Sequence, residues 1–140
     1  MMQQRPPMSL CGTKTASTHR WCARALFWGL VAMASWLALA PAPQVPEVLR
    51  WWDKAQHTAG FAALAFWGLV AYPRGLSRLV PGLVLFGVGI EIAQAFTGWR
   101  HGDWRDWAAD CVGIALGWAA WRCLLWWWGW RSRSRPTFHA

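Results

Sequence analysis

Four apolar runs take up most of this 140-residue chain, and each is bounded by proline, glycine or charge. They cover 25–40, 58–72, 79–96 and 107–130. Hydrophobic residues make up 56% of the sequence, and 15 residues are tryptophan. A soluble domain of this length needs far more polar surface to enclose such a core. A bilayer removes that requirement. A membrane-spanning helix needs roughly twenty apolar residues. The chain therefore reads as an all-α membrane bundle of four transmembrane helices, with no room for an added soluble module.

Breaks between the runs are chemically distinct. Pro41, Pro43 and Pro46 end the first run, and Trp51-Trp52 suits headgroup depth before the second. The second run is short, so its helix is expected to begin near Trp51. Pro73-Arg74-Gly75 reads as a tight turn, and the Gly-rich segment 97–102 as a polar loop. Three divisions follow: a disordered basic tail over 1–20, a four-helix membrane domain over 21–130, and a basic cytoplasmic tail over 131–140.

The first run begins after Arg20 and Arg24 and ends in Ala38-Leu39-Ala40, a signal-peptide pattern. Pro41 directly after that site opposes cleavage, so the segment reads as a retained helix. The chain carries a formal charge of +8, with 14 Lys and Arg against 6 acids. These cations flank apolar runs rather than forming a soluble basic face, which excludes nucleic acid as a partner. Arg5, Lys14, Arg20, Arg24, Arg74, Arg78, Arg131, Arg133 and Arg135 fall on one side of a four-span layout. Arg50, Lys54, Arg100 and Arg105 fall on the other. Nine cations against four place both termini in the cytoplasm.

The polar residues are unevenly placed. Asp53, Lys54, His57, Glu91, Gln94, Arg100, His101, Asp103, Asp106 and Asp110 all fall in the outer half or the outer loops. A charged group at mid-bilayer costs roughly 3 kcal/mol on insertion scales, so such groups face inward and pair. Asp53 and His57 are four apart, and Glu91 and Gln94 three apart, so each pair shares a helix face. Asp103, Asp106 and Asp110 continue into Gly113 and Gly117, a smooth stripe suited to close helix packing. Ala55, Ala59 and Ala63 make a similar stripe on the second helix. Asp103 also fits a plain helix N-cap, with Asp106 in the first turn.

Cys11, Cys22, Cys111 and Cys123 show neither a Cys-x-x-Cys pair nor zinc-ligand spacing. No His-x-x-x-His or Glu-x-x-His pattern is present either, so local spacing predicts neither a metal nor another cofactor. Trp126-Trp127-Trp128 with Trp130 reads as an inner interfacial belt.

Three pieces in order, Asp53-Lys54-x-x-His57-x-x-x-Phe61, Glu91-x-x-Gln94, and Arg100-x-Gly102-x-x-x-Asp106-x-x-x-Asp110-x-x-Gly113-x-x-x-Gly117, resemble the VanZ-like family. The resemblance spans about 25–125. It implies a small helical membrane domain of the cell envelope, in a family named for resistance to the glycopeptide teicoplanin. It names no particular chemistry. The family usually has Asn where this chain has Asp110; an amide can donate, whereas a carboxylate accepts and carries charge.

Three functions fit these features. One is an accessory that binds a lipid-linked or glycopeptide ligand at the outer surface, with Arg100 available for phosphate. Another is an enzyme on a lipid headgroup or cell-wall precursor, with His57 as general base. The third is a structural membrane subunit whose charges form only a buried network.

Overall fold

The computed structural model describes residues 12–41, 53–100 and 102–133. These form four α-helices: α1 (Gly12–Leu39), α2 (Asp53–Ala71), α3 (Leu76–Thr97) and α4 (Trp104–Arg133). There are no strands among the described residues. The tail before residue 12, the loop 42–52 with its Trp pair, His101, the segment after 133 and the side chains of 12–17, Asp53 and 132–133 lie outside the described residues.

α1 begins at Gly12, so residues 12–20, expected to be part of a tail, are helical. Between Pro7 and Pro41 the chain has no proline, and Thr, Ala, Lys and Arg can extend a helix that an apolar run has nucleated. Pro41 stops it at the other end, where the Ala40 amide still donates to the Trp36 carbonyl at 2.8 Å. α2 stops before Pro73, and the turn closes with the Gly75 amide on the Tyr72 carbonyl at 2.8 Å. α3 ends on Gly98, whose φ of 78° is the left-handed cap that glycine adopts without a Cβ penalty.

Three segments are long and apolar enough to cross a membrane: Thr18–Leu39, Leu76–Thr97 and Trp104–Arg131. At 1.5 Å per residue they measure about 33, 33 and 42 Å, against a hydrocarbon core of about 30 Å. α2 falls outside this set because Lys54, Gln56, His57 and Thr58 make its first turns polar. It is nevertheless the central element. It packs against all three other helices, most extensively against α4. Phe61, Leu64, Ala65, Leu69 and Ala71 are buried there, with Phe27 of α1, Leu83 and Ile90 of α3 and Ile114 of α4 around them. Few residues of the three long segments are buried, and their outward faces carry large apolar side chains such as Trp28, Leu85, Ile92 and Trp126. Such surfaces suit lipid rather than water.

Without a hydrophobic force between helices in lipid, close backbone approach has to hold α2 to α4. Glycine permits it. A Cβ on Gly113 would meet the Thr58 carbonyl and lie 3.0 Å from Phe61 Cβ. One on Gly117 would meet the Ala62 carbonyl and lie 2.9 Å from Ala65 Cβ. The face of α2 at this contact is therefore Thr58, Phe61, Ala62 and Ala65. The expected Ala55–Ala59–Ala63 stripe is not that face, and Ala59 is exposed. The side chains flanking α4's glycines set the register, and they sit about one position away from the alanines.

The end carrying the α2–α3 turn is tied together by aromatic contacts. Trp28 Nε1 donates to the Tyr72 hydroxyl at 3.2 Å, and the Arg24 guanidinium lies 5.1 Å from the Tyr72 ring centroid. Arg131 stacks 3.9 Å over Trp127 at the end of α4. Cations and tryptophans thus occur together where α4 runs past α2.

Candidate functional site

At the opposite end α2, α3 and α4 bring their polar residues together. Each helix delivers its share from its own terminus: Lys54 and His57 from the start of α2, Glu91 from the last turns of α3, and Asp103, Asp106 and Asp110 from the entry to α4. Two paired contacts cross from α2 to α4. Lys54 Nζ lies 2.8 Å from Asp106 Oδ1 and 3.4 Å from Asp103 Oδ2. One turn deeper, His57 Nδ1 lies 2.8 Å from Asp110 Oδ1. A three-residue step on α2 and a four-residue step on α4 generate this ladder, and Thr58 adds a third rung by donating to the Ala109 carbonyl at 3.3 Å.

Depth separates the two pairs. The Lys54 side chain is 47% exposed and Asp106 only 8%, so the ammonium head sits at the rim above a sunken carboxylate. His57 and Asp110 are 8% and 0% exposed. With Asp110 ionised, the imidazole donates from Nδ1, which leaves the ring neutral or positive according to Nε2. That bond uses Asp110 as an acceptor, the role a carboxylate fills without needing the amide donor of an asparagine.

Asp103 caps α4. Its Oδ1 accepts the Arg105 amide at 3.0 Å while its Oδ2 faces Lys54. The Arg105 amide, with the Lys54 ammonium beside it, holds the Asp103 carboxyl below the usual carboxylate range. A depressed value means that the capping charge is retained above that range and is lost as pH falls through the folded-state value. The backbone amide of Asp103 donates in turn to Glu91 Oε2 at 2.7 Å. Gly102 makes this contact possible, because a Cβ there would come within 2.7 Å of the Glu91 carbonyl.

Glu91 and Asp110 each keep one carboxylate oxygen, Oε1 and Oδ2, that is buried and has no hydrogen-bond partner. Gly87, one turn before Glu91, gives Asp110 room: a Cβ on it would lie 2.7 Å from Asp110 Oδ2. His57, Glu91 and Asp110 offer donor atoms that all fall within 4.8 Å of one another. Spacing along the chain shows no metal pattern because these three donors come from three helices, and local motifs register only ligands on one.

Gln94 and Arg100 take a different position from the one their sequence neighbours suggest. Gln94 Nε2 donates to the Ala38 carbonyl at 3.0 Å, Trp99 Nε1 to the Leu39 carbonyl at 3.3 Å, and an Arg100 terminal nitrogen to the Leu37 carbonyl at 3.5 Å. Those are the last carbonyls of α1, which have no partner within their own helix, and a cation there complements the helix dipole. Gln94 is buried and serves as a cap for α1. Arg100 also lines, with His57, Gln56, Gly60 and Phe61, a cavity of about 80 Å3 between α1, α2 and α3.

The structure therefore gathers Lys54, His57, Glu91, Asp106 and Asp110 into one cluster, with Arg100 across a small cavity and Gln94 set aside as a cap. Asp103, Gly87, Gly102 and Thr58 are participants that sequence reasoning missed or left as scaffold. The only signal for Gly87 was a small residue one turn before an intramembrane Glu. No protein-family model matches the chain, and no curated protein or solved structure matches it.

Proposed function

We propose that this chain is a VanZ-like, multi-pass protein of the bacterial plasma membrane whose outer end binds an anionic ligand, lipid-linked or derived from cell-wall material. The observation that carries the reading is the convergence of charged groups from three helix ends on one end of the bundle, beside a cavity lined by both His57 and Arg100. Anchoring a single helix needs one pair. Arg100 supplies a planar fork of donors that matches phosphate or carboxylate, and His57 supplies a second, titratable donor. The VanZ-like sequence pattern supports the envelope setting, and glycopeptide susceptibility is the phenotype it directs attention to.

In this reading α2 is a fourth span. It is about 28 Å long at 1.5 Å per residue and sheltered from lipid by its neighbours, so it needs less apolarity than they do. Both termini lie in the cytoplasm, the orientation that the distribution of Lys and Arg favours. A reporter fused after residue 140 that is active only in the cytoplasm should give signal. One active only outside the membrane should be silent, and the reverse result would invert the topology and put the cluster inside.

The binding reading is tested at Arg100. Arg100→Gln keeps a donor for the Leu37 carbonyl and removes the charge. Membrane abundance should stay near that of the wild type, while teicoplanin susceptibility should return to that of cells lacking the protein. Normal abundance with full protection would remove Arg100, and the anionic ligand with it, from the function.

A further inference from the structure

We infer that His57, Glu91 and Asp110 form a binding site for a divalent transition-metal ion of the Zn2+ type, held between α2, α3 and α4. The inference goes beyond the anionic-ligand reading and does not depend on it. It stands on four features of the structure.

First is the donor set. One imidazole nitrogen and two carboxylate oxygens lie within 4.8 Å of one another, each from a different helix. Three protein ligands with a further position for water or substrate is the pattern of non-structural zinc sites. Imidazole selects for Zn2+ and its neighbours over Mg2+ or Ca2+, which take oxygen shells. Second is unsatisfied acceptor capacity. Glu91 Oε1 and Asp110 Oδ2 are buried oxygens without a hydrogen-bond partner, and the Asp110 side chain is 0% exposed. A buried acceptor without a donor costs about 1–3 kcal/mol, more when charged. A cation removes that cost for both at once, and two carboxylates match its charge.

Third is the support around the donors. His57 Nδ1 lies 2.8 Å from Asp110 Oδ1, a hydrogen bond that holds both groups at the site and that an ion replaces when it displaces the Nδ1 proton and opens the pair toward the tetrahedral spacing. The Asp103 amide fixes Glu91 Oε2 at 2.7 Å, which is the kind of outer-shell bond that orients a ligating carboxylate. Lys54, the nearby ammonium, is directed to Asp106 and Asp103 rather than to the three donors. Fourth is room and access. Gly87 provides space that a Cβ would take from Asp110 Oδ2. His57 forms part of the wall of the cavity of about 80 Å3, so an ion can arrive from that side. Tetrahedral bonds of about 2.1 Å place donors about 3.4 Å apart, so the widest pair has to close by at most about 1.4 Å. Side-chain torsions of Glu91 and His57 can supply that without moving a helix.

The test uses the full chain purified in detergent through an affinity tag free of histidine. After chelator treatment the protein is loaded with Zn2+, desalted and assayed for metal by mass spectrometry. The wild type should retain about one Zn2+ per chain, and Asp110→Asn and Glu91→Gln should each lower the affinity at least about tenfold. Both substitutions keep shape, and each also keeps an acceptor for its neighbour. Co2+ titration of the wild type gives a readout that needs no variant: visible absorption bands of bound Co2+ should appear and be displaced by Zn2+. Absence of retained Zn2+ and of these bands in the wild type overturns the site. So does retention that neither substitution reduces. Because metal content is read on purified protein, a negative result here leaves the Arg100 phenotype to be judged separately, and the converse holds.

Discussion

Gly113→Leu is expected to remove most of the folded protein from the membrane, whereas Gly129→Leu on the same helix leaves its abundance within a factor of about two. The difference lies in what a new side chain meets. At Gly113 the first added carbon confronts the Thr58 carbonyl, the Phe61 Cβ at 3.0 Å and the Ala62 amide nitrogen at 3.1 Å. Two of these three are backbone atoms, which cannot rotate away. At Gly129 nothing lies within 4 Å. Overpacking a core that can still adjust costs about 1–3 kcal/mol. Here relief requires α4 to move off α2, which breaks the His57–Asp110 and Lys54–Asp106 rungs and the Thr58 bond with it. The buried carboxylates would then lose their partners, a further cost of several kcal/mol on the scale for broken buried pairs. Gly117→Leu should behave like Gly113→Leu, since the Ala62 carbonyl and the Phe66 nitrogen at 3.0 Å occupy the corresponding positions. Blotting of membrane fractions and a detergent melting curve provide the measurements. Equal tolerance at Gly113 and Gly129 would mean that α4 packs by another face.

That contact also marks what sequence alone can deliver. The Gly113–Gly117 step and the Asp103–Asp106–Asp110 step are both properties of one helix, so spacing along the chain is enough to reveal them. Element type and order were equally legible, because prolines, glycines and long apolar runs act locally. What spacing does not carry is which faces meet. Ala55, Ala59 and Ala63 have the same four-residue period as α4's glycines, yet the contact uses Thr58, Phe61, Ala62 and Ala65. Nothing in α2 by itself distinguishes those rows, since the choice depends on where α1 and α3 also press. The same limit hides the site's internal geometry. Glu91 is paired in sequence with Gln94, three residues away, but in space Gln94 caps α1 while Glu91 turns to the Asp103 amide. Gly87 and Gly102 matter only through atoms of other segments. The extra helical residues at the start of α1 were hidden for a different reason: polar composition signals solvent exposure, and an exposed segment can still be helical.

Glu91→Gln is expected to leave membrane abundance nearly normal and to abolish the phenotype that the protein confers. The structural half of this expectation follows from the bonds Glu91 makes. Its Oε2 accepts the Asp103 amide at 2.7 Å, and a glutamine carbonyl oxygen can accept the same bond. Its Oε1 has no hydrogen-bond partner, so placing an amide NH2 there breaks nothing, and the new donor has Asp110 and His57 within the cluster to address. The loop that enters α4 therefore stays attached to α3, and the Asp103 cap is preserved. The functional half follows from charge. Glu91 carries one of two carboxylates set beside His57, and the amide offers neither negative charge nor a basic oxygen of similar strength. An anionic ligand held by Arg100 and His57, or a cation held by His57 and Asp110, both depend on the balance of charge that Glu91 sets. Membrane abundance by blot, read together with susceptibility to teicoplanin, decides the matter. Normal abundance with full protection would remove Glu91 from the site. Lost abundance would make Glu91 part of the scaffold, and the cluster would then be a means of fixing α2, α3 and α4 in register, with no ligand required.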